Sequence, residues 1–167
     1  MNAKRFLRCL VLTLVLCLMF VPVMASAKAN VKHCSGTEVL IQVVNPGVWT
    51  NPDGNIHVRG MVSEYIEQMN CPESSGINTV IMNANWDANY VGPIWGTSNL
   101  ETSYAGGGVW KVSWSGKTNP DGTFYYKGTG KGISGSVTGL KIKVYGYSNE
   151  PNGTTFIETT IRYPGDK

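Results

Sequence analysis

The sequence predicts an all-β fold: one antiparallel sheet of about eight strands closed into a barrel, with a β-sandwich as the alternative. Three observations carry that expectation. Gly and Pro punctuate the chain every ten residues or so, and no stretch between them keeps a helical period of useful length. The pentapeptide Thr50-Asn51-Pro52-Asp53-Gly54 recurs unchanged as Thr118-Asn119-Pro120-Asp121-Gly122. Its chemistry is that of a hairpin turn, in which Pro pre-sets φ for the first central position, Asn can bond back to the turn, and Gly takes a positive-φ seat. Finally, Gly128, Gly130, Gly132, Gly135 and Gly139 form a ladder of the kind that sharply coiled strands need at barrel corners. Closing the sheet also removes the edges that eight strands with short connections would otherwise expose.

In chain order, residues 1–27 read as a signal peptide: Lys4, Arg5 and Arg8 form a basic n-region, Leu10 to Val21 an apolar run, and Ala25-Ser26-Ala27 a small-residue cleavage site. The mature chain then begins at Lys28 and is expected to be secreted, extracellular or periplasmic. A stable membrane anchor is the alternative, and the run is short for it. Removing the leader takes three of the 14 basic residues and none of the 11 acidic ones. The mature protein is therefore formally neutral, with no global basic field for nucleic acid or anionic membrane. Cys34 and Cys71 are the only cysteines left, and in an oxidising compartment a disulfide between them is expected. A metal or redox pair is the alternative, without a CxxC or a histidine cluster to support it.

Residues 28–36 read as an irregular lead-in held by Cys34, and residues 37–167 as the barrel domain. Thr37 to Val44 is the first strand, rich in β-branched residues. Asn55 to Glu67 is the second and longest, and its alternation assigns Ile56, Val58, Gly60, Val62, Glu64 and Ile66 to the inward face. After a loop at 70–76, further strands are expected at Ile77 to Ala84, Ile94 to Tyr104, Val109 to Gly116, Thr123 to Lys131, Ser136 to Tyr147 and Thr154 to Tyr163. In the seventh, Leu140, Ile142 and Val144 alternate with Lys141, Lys143 and Tyr145. The pentapeptides open corresponding hairpins of the two halves, consistent either with a duplicated four-strand unit or with one good turn used twice. Asn152-Gly153-Thr154 fits a glycosylation acceptor in a eukaryotic secretory path.

Strands five to seven, from Gly108-Val109-Trp110 through Trp114-Ser115-Gly116 to Gly128-Thr129-Gly130-Lys131-Gly132 and Gly135 to Lys141, resemble the second half of the allene-oxide-cyclase and dirigent-like barrels. That resemblance covers about a third of the mature chain and implies an eight-stranded barrel holding a small hydrophobic molecule. Its shared residues are glycines, which specify backbone geometry, and it assigns no catalytic residue here.

Glu64 is the residue that interrupts an apolar inward row. A carboxyl buried there would take up a proton or find partners, and could anchor a ligand or act as a general acid. A bulge before it would instead turn it to water, or an Arg could pair with it. Asn83-Ala84-Asn85-Trp86-Asp87-Ala88-Asn89-Tyr90 interleaves amides with rings in a way that suits a sugar, or is simply a polar loop. Glu64, Asn83, Asn85, Trp86 and Trp95 are the candidate ligand-binding residues. No nucleophile constellation, metal-ligand spacing or cofactor motif is visible, and His57, near a turn, reads as a surface histidine. The leading expectation is a non-enzymatic barrel that binds a small apolar or amphipathic ligand or a partner surface. The alternatives are a cyclase or isomerase using Glu64 on a hydrophobic substrate, and carbohydrate or cell-surface binding through residues 83–90.

Overall fold

Period-two alternation over short segments leaves each strand with one apolar face, and in a computed structural model those faces are turned inward around one closed sheet. The structure describes residues 30–151 and 154–164. The signal-peptide reading of residues 1–27 and the glycosylation acceptor Asn152 lie outside them. Among these described residues nine strands follow in order: β1 (Val31–Asn45), β2 (Val48–Thr50), β3 (Ile56–Met69), β4 (Gly76–Trp86), β5 (Gly92–Thr102), β6 (Gly108–Thr118), β7 (Phe124–Gly135), β8 (Lys141–Ser148) and β9 (Thr155–Arg162). All neighbours are antiparallel, and β1 pairs with both β9 and β3, which closes an eight-strand ring of β1 and β3–β9. The short β2 lies outside that ring and pairs only with the start of β3. This is the closed barrel, not the sandwich.

The first strand begins six residues earlier than expected. Residues 31–36 pair with β9 from Val31↔Arg162 to Gly36↔Ile157, so most of the expected lead-in is barrel wall. Its far half pairs only with β3, and Val39, Leu40, Ile41, Val43 and Val44 are exposed there.

The two pentapeptides do join antiparallel strands, β2 to β3 and β6 to β7. They do so with different backbones. In the first copy both Asp53 (φ 55°) and Gly54 (φ 77°) are left-handed, whereas in the second Gly122 (φ 80°) is. There Asp121 accepts bonds from the Thr123 amide (3.0 Å) and hydroxyl (2.7 Å). Identical residues thus serve two turn geometries, because the strands they connect set the span.

The glycine ladder makes room inside the barrel. A Cβ on Gly128 would stand 2.9 Å from Val112 and 3.0 Å from Trp114, and one on Gly130 would stand 2.8 Å from Val112. The bare β7 backbone is the surface on which the large inward residues of β6 lie.

Two apolar clusters occupy the interior. One end holds Cys34, Cys71, Leu100, Trp110, Val112, Val137, Leu140, Ile142 and Ile161. The loop after β3 folds over this end and is fastened by the Cys34–Cys71 disulfide, by Trp110 Nε1 donating to the Glu73 carbonyl (2.7 Å), and by Lys32 Nζ on the Glu73 carboxylate (2.8 Å). Such a bridge is compatible with an oxidising environment. The other cluster is Val58, Ala84 and Ile94, flanked by Ile56, Met61, Trp86 and Trp114.

Candidate functional site

The inward face of β3 is not the one its alternation suggests. Val58 pairs with Ala84 and Met61 with Met82, so Arg59 and Gly60 together oppose the single residue Asn83. Gly60 takes φ 66°, a conformation in which a side chain would be strained, and its amide donates to Asn83 Oδ1 (3.1 Å). One extra residue in a period-two strand exchanges its faces. Before the bulge Val58 points inward; after it Met61, Ser63, Tyr65 and Glu67 do, and Glu64 turns outward. The inward placement of Glu64 is therefore corrected: it accepts a bond from Gln42 Nε2 (2.6 Å) on the outer surface and does not line the interior.

The residue that the bulge brings inside is Glu67. Directly across the ladder, β1 supplies Glu38. These two carboxyls, 6% and 7% exposed, sit on the wall of a cavity of about 220 Å³ between the two apolar clusters. Its remaining wall is mostly hydrophobic and includes Met82, Trp86, Ile94, Trp114, Phe124 and Val144. Asn78 on β4 donates to Glu67 Oε1 (2.6 Å) and reaches Glu38 Oε1 at 3.5 Å. From the opposite wall, Tyr126 on β7 donates its hydroxyl to Glu38 Oε2 (3.3 Å). Gly146 on β8 permits this reach, because a Cβ there would stand 2.2 Å from the Tyr126 ring.

Burial dominates the electrostatics. It pushes the Glu38 carboxyl up to about 7, against the opposing bonds from Tyr126 and Asn78. Glu67 is raised well above the carboxylate range, first by burial and then by the charge of Glu38. Burial and the same carboxylates push the Tyr126 phenol well above its usual value, and Tyr65 is raised by burial and by Glu38. Among the described residues no Lys, Arg or His lines the cavity. Two like charges in so apolar a space cannot both ionise at little cost, so at neutral pH the pair retains a proton.

The other expected site residues divide between the faces of the wall. Trp86 lines the cavity, donates Nε1 to Thr118 Oγ1 (3.2 Å), and stands between the exposed rings of Trp49 (6.1 Å) and Tyr90 (5.8 Å). Asn83 and Asn85 alternate with it on the outer side. There Asn85 Oδ1 accepts from Arg59 (2.7 Å) and lies 2.6 Å from His57 Nδ1, while the Arg59 guanidinium covers the Trp95 ring at 5.2 Å. Residues 83–86 thus contribute to two surfaces rather than one. Among the described residues no group of three or more His, Cys, Asp or Glu is placed to hold a metal ion. Glu38 and Glu67 were missed as site residues, although one signal was present: Glu38 stands four residues after Cys34 on a strand and so shares the face of a disulfide cysteine. Compared with known proteins, the chain matches no family model, no curated protein and no solved structure significantly.

Proposed function

We propose that this is an exported binding protein that carries one small, largely apolar molecule in its barrel, the molecule's polar end seated at Glu38, Glu67, Asn78 and Tyr126. The cavity is the observation that carries this reading: an apolar chamber with its polar groups gathered on one wall is what orients an amphipathic ligand. An apolar cavity of about 150 Å³ accommodates benzene. A chamber of about 220 Å³ suits a molecule of about nine non-hydrogen atoms by the same measure. The resemblance to allene-oxide-cyclase and dirigent-like barrels supports an interior ligand in the same sense, and the disulfide and basic-apolar leader support export.

Trp86 and Trp114 line the chamber, so occupancy is readable as a change in tryptophan fluorescence. The protein purified under native conditions is expected to release a small molecule on denaturation, and the emptied barrel to rebind it with saturable quenching. Val144→Phe, which fills the chamber from β8, is expected to abolish that quenching while the fold is retained. Equal quenching in the filled variant would end the interior-ligand reading.

A proton-transfer enzyme of the cyclase or isomerase type is the second reading, favoured by one observation: Glu38 stands on the chamber wall with the Tyr126 hydroxyl on it, and its burial pushes that carboxyl up to about 7, the range acid–base work requires. The acid is then Glu38 and not Glu64. Under this reading the released molecule is converted on incubation with wild-type protein and returned unchanged by Glu38→Gln. Unchanged recovery from both leaves binding as the function.

A further inference from the structure

We propose that the polar end of the ligand is a protonated primary or secondary amine, held between Glu38, Glu67 and the side-chain oxygen of Asn78. This rests on the reading of the interior as a ligand site and names the chemistry that site selects. Acceptors outnumber donors around the two carboxyls: Asn78 Nδ2 is engaged on both and the Tyr126 hydroxyl on Glu38, which leaves the Tyr65 hydroxyl as the further donor facing the pair. Four carboxylate oxygens retain free lone pairs. Among the described residues Asn78 Oδ1 has no partner, and it is buried, in a residue only 5% exposed that lines the chamber. A buried acceptor without a donor forfeits its hydration uncompensated, and the one proton the pair keeps cannot serve every acceptor on this wall, so a group that brings several hydrogens completes it.

Charge narrows the choice further. The groups facing the pair are Tyr65 from β3 and Tyr126 from β7, and the lining residues of β4, β5, β6, β8 and β9 carry no charge. A carboxylate or phosphate ligand would meet two acids and no base. An alcohol brings one donor and leaves the charge problem as it was. An alkylammonium brings two or three donors and the positive charge that lets both acids ionise, so its binding expels the proton the pair otherwise keeps.

The test compares three probes with the same tail, n-octylamine, n-octanol and n-octanoate, by tryptophan fluorescence and calorimetry on the intact mature protein. At about pH 8 octylamine is expected to bind at least tenfold more tightly than either of the others. Its affinity is expected to fall about tenfold or more by about pH 5.5, as the pair takes up its proton. The Glu38→Gln, Glu67→Gln double variant is expected to lose the preference, with near-ultraviolet circular dichroism reporting its fold; the pH series on wild type serves if that variant does not fold. Octanol or octanoate binding as tightly as octylamine overturns the amine and leaves the chamber a ligand site. Octylamine binding unchanged in the folded double variant places it elsewhere and overturns the proposal. Failure of all three to bind overturns both the amine and the interior-ligand reading.

Discussion

Glu38→Gln is expected to stabilise the empty protein at alkaline pH and to do nothing of the kind in acid. Burial lifts the Glu38 carboxyl from an ordinary 4.5 to about 7. At about 1.36 kcal/mol per pKa unit, ionising it in the folded state forfeits about 3 kcal/mol of stability. A carboxyl whose folded value is raised holds its proton more tightly folded than unfolded. Its contribution is therefore full below about pH 4.5, declines as pH rises to about 7, and is absent above. Glu67, also raised, declines in the same direction, and removing Glu38 takes away part of what raises it. Gln keeps the acceptor for the Tyr126 hydroxyl and cannot ionise. Urea denaturation of wild type and Glu38→Gln at several values between pH 4 and pH 8.5 measures the effect. The variant should gain about 2–3 kcal/mol on wild type at the upper end and nothing at the lower. Parallel stability curves for the two proteins would show that the carboxyl is solvated, and the account of the chamber would fail with it.

Gly146→Ala places a methyl where the Tyr126 ring lies; it is expected to cost about 1–3 kcal/mol and to weaken ligand quenching by displacing the hydroxyl from Glu38. Replacing Cys34 and Cys71 by Ala opens a loop of 37 residues and should cost roughly 4 kcal/mol by the chain-entropy argument, measured by thermal melting. Because Trp110 is held through the loop that this bridge fastens, its emission is expected to shift towards longer wavelength in the double Ala variant before global unfolding. Gly60→Val should destabilise the protein by more than about 1 kcal/mol, since φ 66° is unfavourable for a β-branched residue. A neutral result there would remove the structural reason for the exchange of faces in β3.

The second hairpin, the β8 alternation and the sulfur bridge were legible in the sequence because each depends on neighbours or on composition. Leu140 and Ile142 are buried as their spacing requires, and Val144 lines the chamber with Ile142. The pair that defines the site was hidden by one residue. Regular alternation through Arg59-Gly60 carries Glu64 inward and Glu67 outward; the alternative, a bulge before Glu64 that turns it to water, is the one the strand takes. Gly60 was itself the warning, since an isolated Gly in a strand marks a bulge. Asn83, Asn85 and Trp86 are close in sequence and fall in the one stretch 83–90, whereas a strand sends adjacent side chains to opposite faces, so that of these three only Trp86 lines the chamber.

By itself the chain determined its strands, its closure and its bridge, because alternation, turn chemistry and cysteine count act locally or through composition. Which carboxyls meet in the interior was decided only by the three-dimensional register. Glu38, Glu67, Asn78 and Tyr126 come from four strands, and their meeting depends on a bulge in one strand and a missing side chain at Gly146 in another. The physical reason is that facing in a sheet is a cumulative property: one inserted residue reverses everything after it, and no local pattern records the sum.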